Sequence, residues 1–581
     1  MMRGRWTLAI VGVVLIVAGG LLAHLTQTAG GIRIEDVRFK GAKGNTMSAL
    51  LYVPPNATPQ IPAPGILAVH GYINSRETQD GFAIEFARRG YVVLALDQTG
   101  HGYSEPPSFA NGFGGPDGLA YLRSLPFVDK ENIGLEGHSM GGWTVLAAAT
   151  AMPNDYKSMV LEGSSTGKPF AAEGTTTWPR NTALVFAQYE EFPELMWGVD
   201  LARDVTMSPK LWALFGTQGA IEPGKVYGDP ANGSARVLYT PAMTHPAEHI
   251  SHEAIGYSLD WFARTLKGGT PRPVDDQIWF RKEIGTLIAL IGFVALVIGT
   301  FDGLLEAPMF SRLRLPAVAD GTMPPHEAAK GRRWTAAFVL SALIPALTYY
   351  PAFGLGGTFV TPSAFLPQGI TNQILVWAII NGLITLALMW FAPKRASRAG
   401  LVGQSVVIAV ASVAVGYAAL WLADLALKID FRFWIVALKL MSAKQFLIFL
   451  IYLIPFTAFF VVALHVLHRN FSTMGAARSA LSDQYPGADA RFHRVAGAAI
   501  RHAVVDRKAV QPDPGPGFRA AFDHRRDPVR AAPGNRRRDR DLHMAADRIE
   551  PAGGLDSGPV RDLVHRGRDR HAGLILGEKM G

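Results

Sequence analysis

The sequence contains no cysteine, and only 18% of its 581 residues are charged. Without cysteine there is no disulfide framework, no zinc thiolate site and no thiol nucleophile, and thiol usage leaves the compartment open. Low charge, together with 49% hydrophobic residues and a mean hydropathy of +0.16, excludes a disordered chain and points to membrane segments. The charge present is unevenly placed. Residues 469–581 carry 19 Arg and 2 Lys against 14 Asp and Glu, which accounts for seven of the nine net positive charges. A basic excess confined to a tail is no nucleic-acid footprint on the folded part, and no nucleic-acid partner is expected.

Long apolar runs are what the sequence has in place of charge. Residues 6–25 form an uncharged run preceded by Arg3 and Arg5. Its length suits a bilayer span and exceeds a signal-peptide core, so residues 1–30 are expected to form an uncleaved N-terminal membrane anchor. Five more runs, at about 284–301, 335–353, 373–391, 401–423 and 446–467, make 281–468 an all-α transmembrane region. Lys and Arg fall mainly in the loops 304–334 (Arg312, Arg314, Lys330, Arg332, Arg333) and 392–400 (Lys394, Arg395, Arg398), while 354–372 is uncharged. If Arg3 and Arg5 are cytoplasmic, the alternation puts residues 31–280 outside the cytoplasm. The segment 424–445 breaks the rule with Lys428, Arg432, Lys439 and Lys444. Its mixture of aromatics and bases suggests a stretch lying along the membrane interface. No acid or base sits in the middle of a span, which argues against an ion-coupled transporter.

Residues 469–581 differ again. Arg outnumbers Lys, Asp outnumbers Glu, and neither a period of 2 nor one of 3.6 appears. The plain expectation is a disordered tail. The abrupt Arg/Pro/Gly/Asp texture beyond about residue 485 also suggests an out-of-frame translation, which resequencing of the locus tests: recovery of the same frame through codon 581 would sink that idea.

Between 31 and 270 the texture is that of a soluble α/β domain. Short apolar strands at Ser48–Val53, Gly65–His70, Tyr91–Asp97, Ile133–Gly137, Met159–Glu162, Ala183–Ala187 and Arg236–Thr240 alternate with helical patterns at Thr78–Arg89 and Gly141–Ala151. Near-continuous apolar strands between helices imply a mostly parallel sheet covered on both faces.

The chemistry is carried by Gly137-His138-Ser139-Met140-Gly141-Gly142, a G-x-S-x-G match between a strand and a helix. That context is what a nucleophile elbow requires, and the tight turn explains the glycines flanking Ser139. Serine needs a base and an orienting acid. His245, in the loop after the last strand, is the favoured base, ahead of His249 and His252. Glu190 is the favoured acid, with Glu191 and Glu162 as alternatives, and the order Ser139, Glu190, His245 suits the fold. Backbone N–H groups of Met140 and Tyr72 are the expected oxyanion donors, the latter from the loop His70-Gly71-Tyr72. The Gly-rich turn Asp97–Ser104 reads as a loop supporting the elbow, because it lacks a P-loop ending. His245-Pro246-Ala247-Glu248-His249 also matches the zinc pattern H-x-x-E-H, yet proline after His245 disfavours the helix such a site needs. Nothing in the sequence implies a metal or an organic cofactor.

The motifs HGY, DQTGHGYS and GHSMGG, in this order and spacing, resemble those of the serine α/β-hydrolases, in particular the group of monoacylglycerol lipases, serine aminopeptidases and dienelactone-hydrolase-like enzymes. The resemblance covers about 31–270. It implies a largely parallel central sheet and hydrolysis of an ester, thioester or amide through an acyl-enzyme, with Ser139, Glu190 and His245 as triad. Two departures stand out: the acid is Glu where Asp is usual, and about 45 residues separate Phe192 from the histidine strand. That insertion, with Leu195, Met196, Trp197, Leu211, Trp212 and Phe215, reads as an acyl-site lid, a membrane-packing surface or domain core. The expectation is a membrane-anchored serine hydrolase acting outside the cytoplasm on small-molecule esters with an apolar acyl part, with the lipid bilayer as its other partner. The rivals are a serine peptidase of the same fold and a non-catalytic sensor or transport protein with a hydrolase-like domain.

Overall fold

The computed structural model describes residues 6–313, 332–390 and 401–471. Arg3, Arg5, Arg314, Lys330, the bases of 392–400 and the segment 472–581, with its reading-frame question, lie outside the described residues. Two compact units are present, one formed by 6–313 with 401–443 and the other by 332–390 with 444–471.

In the first unit an eight-stranded sheet comprises β1 (Arg33–Lys40), β2 (Thr46–Val53), β3 (Ala63–Val69), β4 (Val92–Asp97), β5 (Val128–His138), β6 (Ser158–Glu162), β7 (Thr182–Val185) and β8 (Arg236–Tyr239). Their order is β1-β2-β4-β3-β5-β6-β7-β8. β1 to β2 and β2 to β4 run antiparallel, and the remaining pairs are parallel. β1 is the strand that apolar patterning misses: its sequence RIEDVRFK is charged, and as an edge strand its alternate residues face water. The inner strands β3 and β4 are wholly buried, as their apolar runs require.

Two layers cover the sheet. One apolar cluster includes Leu67, Leu94, Leu135 and Leu161, the other Ile66, Val93, Val160 and Val237, so successive residues of each strand feed opposite cores. The helices α2 (Asp80–Arg88), α3 (Gly115–Ser124) and α4 (Met140–Ala151) follow strands within the sheet. The insertion supplies α5 (Pro193–Trp197) and α6 (Pro209–Phe215), and α7 (His252–Thr265) closes the domain. Of the three readings of the insertion, domain core fits best: Met196, Trp197, Leu211 and Phe215 are buried in the first cluster. Each such side chain contributes about 1.5–3 kcal/mol by leaving water.

Among the described residues six helices are long and apolar enough to cross a bilayer. The N-terminal helix Thr7–Gln27 is α1, and the long helices are named by their ranges. The first unit holds Thr7–Gln27, Phe280–Leu304 and Val402–Leu427; the second holds Arg332–Phe359, Gly369–Trp390 and Ala443–Phe471. Thr7–Gln27 and Phe280–Leu304 meet through small residues: a Cβ on Gly12 would strike the backbone of Gly292 and Leu296, and one on Gly285 that of Gly19 and Ala23. Glycines at seven-residue spacing thus let the two backbones approach closely, as in membrane helix pairs.

The segment 428–442 packs against the sheet domain of the same unit. It forms a two-stranded hairpin, β9 (Phe431–Phe433) and β10 (Val436–Leu438), turned by Trp434 and Ile435 with Trp434 at φ 55°. Phe431 is buried against Phe293, and Arg432 and Lys439 meet Glu77 of the sheet domain. Of the four bases that contradict the positive-inside pattern, Arg432 and Lys439 are therefore matched by carboxylates of the same unit.

Candidate active site

Ser139 stands between β5 and α4 with φ 54° and ψ −119°, a conformation L-residues avoid and nucleophile elbows impose. The turn is held by the Ser139 N–H, which donates to the Glu162 carbonyl at 2.8 Å. Its glycines are required by close approach: a Cβ on Gly137 would collide with Gly141, and one on Gly141 with the Val69 carbonyl. Ser139 is half-buried, and among the described residues no hydrogen bond reaches its hydroxyl.

His245 follows β8 and opens a 3-10 helix, His245–Ile250. Its Nδ1 lies 2.8 Å from Oε2 of Glu190, and both side chains are buried. Glu191 plays a different part: its Oε2 accepts the His245 backbone N–H at 2.8 Å. Glu162 accepts from the Ser258 hydroxyl on α7. Of the three candidate acids, then, Glu190 is the one brought to the imidazole. Gly163, at φ 49°, makes room for the ring, since a Cβ there would press on His245 Nδ1 and Glu248. The His138 ring lies 4.6 Å from that of His245, which brings His245 to the residue preceding Ser139.

The other histidines are elsewhere. The His249 ring lies tilted against His138 at 3.8 Å, and His252 sits in the first turn of α7 against Trp279 and Phe280. The H-x-x-E-H pattern does not bring its two histidines together as ligands. Among the described residues the convergent set is His138, His245 and Glu248, with donor atoms within 4.8 Å of one another. The histidines have partners of their own: His138 Nε2 lies 3.0 Å from the His245 carbonyl and 3.3 Å from Glu248 Oε2, and His245 Nδ1 is held by Glu190, while Glu248 Oε2 itself makes no hydrogen bond among the described residues. Burial raises the Glu248 carboxyl well above its ordinary range, and the nearby Glu190 and Glu162 add to this.

The loop expected to supply an oxyanion donor is held by residues whose side chains the sequence did not single out. Gly71 packs on Ser139, with a Cβ there 3.3 Å from Ser139 Cβ. The buried His70 accepts the Gln98 N–H on Nε2 at 3.2 Å, so its proton is on Nδ1, which lies 2.7 Å from the Gly71 carbonyl. In a trans peptide C=O and N–H point in opposite directions, so fixing the Gly71 carbonyl fixes the Tyr72 N–H. Burial first, and His101 next, push the His70 imidazole down to about 4, which keeps it neutral for this task. Gln98 extends the tie: its amide donates to the His70 carbonyl, and its Oε1 accepts the Thr144 hydroxyl of α4 at 2.7 Å. The loop after β4 thus joins the oxyanion loop to the helix that bears the elbow. Met140, the second expected donor, is the first residue of α4, where N–H groups lack helical partners. The HG dipeptide after a buried strand was the available signal for His70.

An aromatic wall leads away from this point. Tyr72 stacks on Phe109, which meets Phe113 edge-on, and Phe170 bridges Phe113 to Trp143 on α4. On the other side Phe192 stands edge-on to His245 at 5.3 Å.

Residues 60–189 match the family model described as serine aminopeptidase, S33. The match includes the loop His70-Gly71-Tyr72 and Ser139 and ends one residue before Glu190. A monoacylglycerol lipase of Mycolicibacterium smegmatis is 31% identical over 115 residues, covering 18% of this chain and 40% of the lipase. A 2-hydroxy-6-oxononadienedioate/2-hydroxy-6-oxononatrienedioate hydrolase of Cupriavidus pinatubonensis is 36% identical over 80 residues, 14% of this chain and 28% of that enzyme. The chain thus spans 28% and 40% of the length of these two curated relatives. Among solved structures, the Pyrococcus furiosus esterase Pf2001 aligns with 42% of this chain and 96% of its own at 16% identity and a TM-score of 0.31. Taken with the strand order and the elbow, the family match gives the sheet domain of this chain the α/β-hydrolase fold.

Proposed function

We propose that the protein is a membrane-anchored serine hydrolase that cleaves carboxylic esters with an apolar acyl part through an acyl-enzyme. The observation that carries the proposal is the buried 2.8 Å contact between His245 Nδ1 and Glu190, next to a serine at positive φ. With Glu190 holding the Nδ1 proton, Nε2 of His245 is left as the base. It takes the Ser139 proton as the oxygen attacks the ester carbonyl, and the Tyr72 and Met140 N–H groups receive the developing oxyanion. The tetrahedral adduct collapses as His245 returns the proton to the departing alcohol. Water, deprotonated by the same imidazole, then releases the acid. The unlinked Ser139 hydroxyl is compatible with this, because catalytic hydrogen bonds are often long before substrate binds. The aromatic wall from Tyr72 to Trp143 is suited to an acyl chain.

The family description favours one second reading, a peptidase. Carboxylic esters of graded acyl length and aminoacyl amides, assayed side by side on the purified full chain, separate the two: the proposal predicts ester turnover that rises with acyl length, and turnover confined to the amides overturns it.

We further propose that the sheet domain lies outside the cytoplasm in a multi-pass membrane protein. Six spans alternate so that 31–279 and the 428–442 connection fall on one side, and the ion pairs of the hairpin with Glu77 agree with that count. A cysteine-free chain permits a clean test. Arg203→Cys, at an exposed position, should react with a membrane-impermeant maleimide in intact cells; reaction only after permeabilisation overturns the orientation.

A further inference from the structure

The loop that carries Tyr72 is anchored at both ends. At its start His70 is held by Gln98, as described. At its far end it enters the 3-10 helix Arg76–Gln79, where Glu77 is buried. Lys439 Nζ lies 2.8 Å from Glu77 Oε2, Arg432 lies 3.6 Å from the same oxygen, and Ser75 donates to it at 2.6 Å. The other carboxylate oxygen lies 3.1 Å from Arg76 Nε. The Arg76 N–H in turn donates at 2.9 Å to Asp97, the residue before Gln98. The hairpin also grips the second supporting loop: the Tyr103 hydroxyl donates at 2.7 Å to the Leu440 carbonyl, and Lys439 sits 4.3 Å over the Tyr103 ring. The Tyr103 N–H donates to Asp97. Both loops that set the direction of the Tyr72 N–H therefore rest on two cations and a carbonyl from residues 432–440, which lie more than 160 positions beyond the sheet domain in sequence.

We propose that the β9–β10 hairpin is a positioning element for hydrolysis: Lys439 and Arg432, by holding Glu77, fix the oxyanion loop, so that the chemical step depends on a connection between two membrane-length helices. The inference rests on the serine-hydrolase reading. Buried ion pairs are poor sources of net stability and well suited to fixing a geometry, and oxyanion donors act through geometry. Burial alone would raise the Glu77 carboxyl, yet Lys439, Arg76 and Arg432 hold it well below its ordinary range, so the loop anchor stays charged.

The test measures ester turnover by the full-length protein in its membrane or in detergent. Lys439→Met should lower kcat by about tenfold with KM within about twofold, and Lys439→Arg should recover most of the loss. Glu77→Gln, which preserves shape, should lose kcat to a similar extent, and the double variant should be no worse than either single one. Wild-type kcat in Lys439→Met, or losses that multiply in the double variant, would overturn the proposal. If Lys439→Met does not fold, Glu77→Gln against Glu77→Gln with Lys439→Arg decides by the same criterion. Failure of the underlying reading looks different: wild type itself would then neither turn over esters nor react with a fluorophosphonate at Ser139.

Discussion

The crest of the sheet and the hairpin each set a buried carboxylate against a nitrogen, Glu190 against His245 and Glu77 against Lys439, both at 2.8 Å. At the crest the partners are 55 residues apart and are delivered by neighbouring strand ends of one domain. At the hairpin they are 362 residues apart and belong to elements with no shared motif. In the proposed mechanism the first pair serves proton transfer, where one histidine must keep one tautomer, and the second is a charge pair that fixes a loop. On that proposal a carboxylate beside an imidazole and one beside an ammonium have opposite uses in the same unit.

The largest expected effect breaks the first pair. His245→Ala should lower ester kcat by about 10⁴-fold and Glu190→Gln by about 10²–10⁴-fold, with the fold retained by circular dichroism. Glu191→Gln, which touches only the His245 backbone, should stay within about tenfold. Equal losses in Glu190→Gln and Glu191→Gln would remove the distinction between them. Gly163→Ala sharpens the geometry without altering a titrating group. Its Cβ would press on the His245 ring at a φ of 49°, so kcat should fall about 10²-fold with little change in KM.

The smallest effect concerns the second pair and is read in stability. Glu77 is held below its ordinary value of 4.5, so its contribution is complete above pH 4.5 and is lost as pH falls through the depressed folded value. The melting temperature of wild type should exceed that of Glu77→Gln by a constant margin from pH 7 to about 5, and the margin should shrink at lower pH. A margin that grows on acidification would contradict the charged assignment.

The same contrast explains what the sequence could tell. Ser139 was legible because an elbow leaves a local trace, glycines where backbones touch and an apolar strand before a helix. Long apolar runs announced the six helices, since bilayer length is a one-dimensional requirement. β1 was missed because an edge strand needs no apolar face on its solvent side, and RIEDVRFK has the charges such an edge carries. Arg432 and Lys439 read as an anomaly of membrane charge, because the carboxylate that answers them stands at Glu77. His70 was visible as half of an HG dipeptide, but its tautomer depends on a backbone N–H from another strand end. Glu190, Glu191 and Glu162 could not be separated by position alone; only the meeting of strand ends does so.

Fluorophosphonate labelling of the full-length protein, followed by mapping of the modified peptide, bears most directly on serine catalysis. The account predicts stoichiometric labelling at Ser139 in wild type and none in Ser139→Ala. An intact wild-type preparation that does not label, or a Ser139→Ala variant that labels as well as wild type, would contradict it.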